Sequence, residues 1–228
     1  MKISRILFIA YFSVIGLFLI SFTVMGFVHK DKTMEDVMNV VNVMNHEHET
    51  IEGELPPFSC IQVAKGSEVV IKQGEKNSFS YYKKASETVA KPEWEVINDT
   101  LYIRHTAPTM AVYATRLIAI TGESCQLTIE PITLDKLALH LDQSELSIRN
   151  EVNISNLEIT MVANSQMNAW GLSTQRMKLD VDHSIFRGDS KRRIKVVSGS
   201  IRNNSKVQLS PAQSIKLEVD DSSELKMH

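Results

Sequence analysis

Apolar triplets with a period of two recur through the second half of this chain at a nearly constant interval, and that interval constrains the fold most. Leu137/Leu139/Leu141 is followed by Leu157/Ile159/Met161, Met177/Leu179/Val181, a shorter Ile194/Val196, and Ile215/Leu217/Val219. Their first members are 20, 20, 17 and 21 residues apart. Behind each full triplet comes a small polar residue (Ser144, Asn164 or Ser165, Ser184, Ser222), then a second apolar pair such as Leu146/Ile148 or Met167/Ala169. Alternation marks a strand with one buried face, so each unit reads strand, corner, strand. A helix-free unit of about 20 residues cannot bury its apolar face alone and must stack on its copies. Stacked strands lie about 4.8 Å apart, with equivalent side chains above one another. The expected fold is all-β, a right-handed parallel β-helix with coils of about 20 residues, the hand following from the preferred crossover of parallel strands. A leucine-rich repeat has a similar period but needs a fixed Asn and a helical return leg. An antiparallel β-sandwich gives no reason for the register to return at 20 and stands as the alternative fold.

Ahead of the repeats, "FSCIQVAKGSEVVIKQGE" alternates around Lys65-Gly66-Ser67, and "WEVINDTLYIRH" around Asn98-Asp99-Thr100. Both read as β-hairpins. Further strands are expected at Phe79 to Tyr82, Leu117 to Thr121 and Gln126 to Ile129. Pro56-Pro57 closes off a different kind of segment. From Thr33 to Ile51 apolar residues at Met34, Val37, Val41, Met44 and Ile51 predict a short helix, with Thr33 and Asp36 as its cap. It is read as a stalk, with a coiled-coil seam that dimerises the chain as the other reading. His46 and His48 point apart on such a helix and are read as solvated.

The N-terminus sets the location. "ILFIAYFSVIGLFLISFTVMGFV", residues 6–28, carries no charge, and as a helix it is about 35 Å long against a hydrocarbon core of about 30 Å. It predicts an uncleaved anchor in the lipid bilayer; a long signal peptide, cleaved to release a secreted domain, is the alternative. Lys2 and Arg5 precede the span and His29, Lys30 and Lys32 follow it. The short basic head favours an N-in single pass that exports the remainder of the chain. The expected organisation is a cytoplasmic head at 1–5, the span at 6–28, a helical stalk at 29–54 and a β-helix domain at 55–228.

With 25 basic against 27 acidic residues the net charge is -2, which argues against a nucleic-acid partner. Cys60 and Cys125 are the only cysteines. They exclude a disulfide scaffold or a thiolate zinc site and leave at most one bridge, from the entry strands to the first coil.

The strings "FSCIQVAKGSEVVIKQGE" and "NDTLYIRH" and the ladder "LDKLALHLDQSELSI" resemble the GIN domain of auto-transporter adhesin heads in bacterial envelope proteins. The similarity spans Leu55 to His228. It departs from the family pattern where glycine-rich corners are replaced by Asp142-Gln143-Ser144 and Asp182-His183-Ser184, and at Thr106 to Arg116. The resemblance implies an exported β-helix and assigns no catalytic residue.

Candidate chemistry is sparse. Asp142, Asp182 and Asp220 hold one position after the triplets, but Val162 interrupts them, and a calcium site needs six to eight oxygens. Histidines 105, 140, 183 and 228 form no motif with a serine or carboxylate. No catalytic residue, cofactor or metal ligand is assigned. A run of cations, Arg187, Lys191, Arg192, Arg193, Lys195, Arg202 and Lys206, falls in two successive coils. It reads either as a patch for an anionic glycan, lipid phosphate or bilayer or as charges that blunt exposed strand edges. Trp170 is either a sugar-stacking platform or the cap of a coil corner. The expected function is a membrane-anchored envelope protein, not an enzyme, that presents a rigid β-helix to another protein or a surface glycan. A carbohydrate-active enzyme on the same scaffold and a dimerising spacer are the alternatives.

Overall fold

The structure is a computed structural model and describes residues 48–84, 91–106, 109–188 and 194–227. The expected head and span at 1–28 and the stalk as far as residue 47 lie outside the described residues. The end of the expected stalk helix is a strand, β1 (His48–Glu54). Ile51 and Gly53 are half-buried while Thr50, Glu52 and Glu54 are exposed, a period of two that no helix gives.

All regular structure among the described residues is β. The entry region contributes β2 (Cys60–Val63), β3 (Glu68–Gln73), β4 (Ser78–Lys84), β5 (Glu93–Ile97), β6 (Thr100–His105), β7 (Met110–Ala114), β8 (Ala119–Glu123) and β9 (Gln126–Ile129). The repeats come next as long and short strands in alternation: β10 (Ile132–Asp142), β11 (Glu145–Ile148), β12 (Val152–Val162), β13 (Gln166–Ala169), β14 (Leu172–Asp182), β15 (Ile185–Gly188), β16 (Ile194–Arg202), β17 (Lys206–Leu209), β18 (Ala212–Val219) and β19 (Glu224–Met227). They form two sheets. One runs β18-β16-β14-β12-β10-β8-β2-β6-β5, the other β1-β4-β7-β3-β9-β11-β13-β15-β17-β19. Each coil gives a strand to either sheet, and successive coils pair in parallel: a parallel β-solenoid, as the interval predicts.

The register returns every coil. Leu137 pairs with Leu157 and Leu157 with Met177; Leu139, Ile159 and Leu179 do the same, then Leu141, Met161 and Val181. These nine side chains are at most 2% exposed. They meet the short-strand columns, such as Leu127, Leu146, Met167, Phe186 and Val207, in one continuous core. The fourth coil differs from its expected alignment. Met177, Leu179 and Val181 pair with Val197, Gly199 and Ile201, while Ile194 continues the Leu134, Ile154, Thr174 column. The glycine removes one apolar mark and displaces the apparent repeat toward Ile194.

Two expectations about the entry region need correction. Residues 58–75 are not a hairpin, because β2 and β3 belong to opposite sheets and Lys65-Gly66-Ser67 is the corner of a coil. A turn between two alternating segments looks the same in sequence whether the second strand folds back beside the first or crosses the core. The second hairpin is present: β5 pairs antiparallel with β6 through Asn98 and Asp99, at φ 48° and 65°, the geometry of a tight two-residue hairpin turn. The Cys60–Cys125 bridge does not form, and both thiols are free. Cys60 pairs with Ala119 at the start of β8, whereas Cys125 lies beyond the end of that strand. Four strand steps of about 3.3 Å already exceed the reach of a disulfide, about 4.4 to 6.8 Å between Cα atoms. Burial pushes the Cys125 thiol pKa up, so under native conditions a thiol reagent should label Cys60 first and Cys125 only after unfolding. Mass spectrometry of the non-reduced chain checks this by counting blocked thiols.

Inside the corners between the sheets stands a column of serines. Each hydroxyl donates to a carbonyl of its own corner: Ser144 to Asp142 at 2.7 Å, Ser165 to Val162 at 2.7 Å and Ser184 to Asp182 at 2.8 Å. Each also accepts from the backbone N–H one coil back, from Cys125 to Ser144, Ser144 to Ser165, Ser165 to Ser184, Ser184 to Ser205 and Ser205 to Ser223. The spacing along this column alternates through 19, 21, 19, 21 and 18 residues. The 21-residue steps end at corners with two left-handed residues, Ala163-Asn164 and Asn203-Asn204; Gln143 and His183 each turn a corner alone. Corners thus absorb length changes while the strands keep register. Ser184→Ala is expected to leave the Ser165 N–H without its acceptor and to lower stability by about 1–3 kcal/mol, measured by urea denaturation. A loss below a few tenths would mean that these bonds are incidental.

Candidate ligand-contact groove

The long strands bend. In β10 the burial pattern gives two consecutive outward residues, Asp135 and Lys136, and the ladder pairs Leu134 with Ile154 and Lys136 with Asn156 but skips Asp135 and Ser155. The same omission recurs at Gln175, Lys195 and Gln213. Across these bends runs a groove of about 380 Å³, lined by Thr133, Leu134, Asp135, Asn153, Ile154, Ser155, Ser173, Thr174, Gln175, Lys195 and Gln213. Its apolar floor belongs to the inward column of Leu134, Ile154 and Thr174. Thr174 is 4% exposed, and its hydroxyl donates to the Arg176 carbonyl at 3.1 Å, so it brings no unsatisfied donor to the floor.

The walls are different. Asp135, Asn153, Ser155, Ser173, Gln175, Lys195 and Gln213 have no side-chain partner among the described residues. Immediately beside the groove, polar groups are committed. Arg176 donates to Asn156 Oδ1 at 3.3 Å, Asn156 donates to the Asp135 carbonyl at 3.1 Å, and Lys136 pairs with Glu158 at 3.4 Å. The groove therefore offers hydroxyls, amides, one carboxylate and one ammonium in rows one coil apart. A larger hollow of about 510 Å³ lies over the serine corners, between Glu68, Gln126, Glu145 and Gln166.

The four described cations of the run stand on two different sheets. Lys191, Arg192 and Arg193 lie outside the described residues. Arg187 and Lys206 stand on the short-strand sheet and Lys195 and Arg202 on the other, because neighbours in sequence alternate between sheets at each corner. Arg187 donates to Asn168 Oδ1 at 3.4 Å, and Arg202 lies 3.7 Å from Glu218; of the described cations of the run, Lys195 lines the groove. The aspartate column is more broken than the sequence implies, since Arg202 pairs in register with Asp182. Asp220 is instead a turn residue. It accepts from Asn203 N–H at 2.7 Å and from the Ser222 hydroxyl at 2.9 Å, and hydrogen bonds, the Ser223 hydroxyl's first, lower its pKa to about 2. Trp170 is 63% exposed in the turn after β13, so it does not pack as a corner cap. The groove itself was missed from the sequence; the signal for it was a polar residue two places before each triplet, at Asp135, Ser155 and Gln175.

No family model matches the chain, and no curated protein matches it in sequence. Crystal structures that share the fold include two from Bacteroidales species. One, from Bacteroides fragilis, has a TM-score of 0.61 and 11% identity and covers 80% of this chain and 97% of its own. The other, from Parabacteroides distasonis, has a TM-score of 0.66 and 12% identity and covers 80% of this chain and 82% of its own. Each of those proteins is named a "putative adhesin".

Proposed function

We propose that this chain is an exported, membrane-tethered envelope protein of the GIN-domain type, a non-catalytic module that holds an extended surface glycan in the groove across the bends of its long strands. The observation that carries this reading is the set of unpartnered amide and hydroxyl groups over an apolar floor. Such a lining suits a polyhydroxylated chain, whose hydroxyls need donors and acceptors while its ring faces need apolar contact. The rows repeat at the coil spacing of about 4.8 Å, close to the length of one sugar ring, so successive sugars meet equivalent groups. The fold shared with proteins named "putative adhesin" supports a contact role, and the uncharged run at 6–28 supports the tether.

A glycan array probed with the full chain in detergent tests it. Binding to a restricted set of glycans is expected, and it should weaken about tenfold or more in Gln175→Ala with Gln213→Ala, which removes two amides worth roughly 0.5–1.5 kcal/mol each. Binding untouched by these substitutions would place the ligand elsewhere. Absence of any glycan binding would remove the reading.

A further inference from the structure

The two ends of the stack are finished differently. At one end antiparallel strands close the sheets, β5 on β6 and β4 on β7, and Phe79 and Trp94 pack with ring centroids 5.7 Å apart. At the other end β18 and β19 are outermost, and among the described residues each pairs on one side only. The inward column that is 0% exposed at Val197 and Ile201 opens to 37% at Ile215 and 40% at Val219, and Met227 is 42% exposed above Leu209 at 1%. Leu217 and Leu225 cover the core only in part. A strip of apolar surface and two strand edges thus coincide.

The charges along those edges are self-complementary. β18 contains Lys216-Leu217-Glu218 and β19 contains Glu224-Leu225-Lys226. When either strand meets its own copy antiparallel about the leucine, each lysine stands opposite a glutamate and leucine opposite leucine; in-register parallel pairing would set lysine on lysine. Opposite charges across a strand pair stabilise and like charges destabilise it. The geometry points to a second copy of this chain as the occupant of this end, docked through β18 and β19 by a twofold axis normal to the facing sheets. That isologous contact continues both sheets across the junction and covers Ile215, Leu217, Val219, Leu225 and Met227. The pairs present within one chain, Glu224 with Lys226 at 2.9 Å and Arg202 with Glu218 at 3.7 Å, are exposed and offer little resistance to re-pairing.

Light scattering on the full chain in detergent, corrected for bound detergent across the micromolar range, tests the pairing. A dimer is expected. Lys216→Glu with Lys226→Glu sets like charges opposite in both strand pairs and should weaken association by about tenfold or more. Adding Glu218→Lys and Glu224→Lys to that variant restores complementarity and should restore the dimer. A monomeric wild-type chain, a dimer indifferent to the two lysine substitutions, or a fourfold-exchanged chain that stays monomeric overturns the proposal. Hydrogen exchange on the wild-type chain requires no variant. Protection of residues 212–227 should rise with protein concentration, and exchange there that is independent of concentration overturns it as well.

Discussion

Gly199→Ala is expected to lower the unfolding free energy by about 3–5 kcal/mol, much of the 5–15 kcal/mol that a typical domain possesses. Gly199 sits in β16 at φ +133°, a conformation that costs a residue with a side chain about 1–3 kcal/mol. A Cβ there would also lie 2.1 Å from the Leu179 carbonyl oxygen and 2.7 Å from its carbon. Both atoms are backbone of the neighbouring strand, so the clash is relieved only by opening the ladder between β14 and β16. Gly66→Ala is the control. Gly66 has φ +77° with nothing within 4 Å of a Cβ, so its cost is conformational alone, about 1 kcal/mol. Urea denaturation of the two variants decides, and equal losses would show that the close approach at Gly199 has no energetic weight.

Phe186→Ala should cost about 3–5 kcal/mol. Phe186 is 0% exposed in β15, between Met167 and Val207 in the short-strand column, and it heads the largest fully buried side chains. Its neighbours above and below are held in register by the ladders of the short-strand sheet and have little freedom to collapse into the space. Phe186→Leu, which keeps most of the volume, should lose no more than about 1.5 kcal/mol. Both variants should shift the urea midpoint without changing the slope. A loss for Phe186→Ala as small as that for Phe186→Leu would mean that the coils re-close, against the packing described.

How far the architecture is legible depends on where side chains repeat. The columns Leu137–Leu157–Met177 and Leu141–Met161–Val181 are visible because inward positions keep their apolar character and the ladder their register. The alignment slips at the fourth coil because Gly199 occupies the inward position there and an apolar pattern cannot mark a residue without a side chain. The serine column is half visible: Ser144 and Ser184 stand out behind their triplets, Ser165 competes with Asn164 for the position, and Ser205 is hidden in the coil whose triplet Gly199 interrupts. The entry region is legible as strands but not as topology, since period two says which face is buried and not which sheet a strand joins. The groove is the least legible feature. Its residues are ordinary polar ones at positions where the strand bends, and their one mark in the sequence, the polar residue two places before each triplet at Asp135, Ser155 and Gln175, does not by itself distinguish a bend from an outward strand position. The described cations show a different limit: Arg187 and Lys206 lie on one sheet and Lys195 and Arg202 on the other, because proximity in sequence is no guide to proximity when the chain changes sheet at every corner.

The placement of β2 and β3 has a consequence for the order of assembly. Cys60 pairs with Thr100 on one side and Ala119 on the other, and Val69 with Met110 and Leu127, so this early coil is wedged between two that are synthesised after it. The stack therefore cannot grow turn by turn from its first residue. Contacts about 20 residues apart, as from β10 to β18, close more readily than these longer loops. The later coils are therefore expected to nucleate folding, with the wedge locking in last.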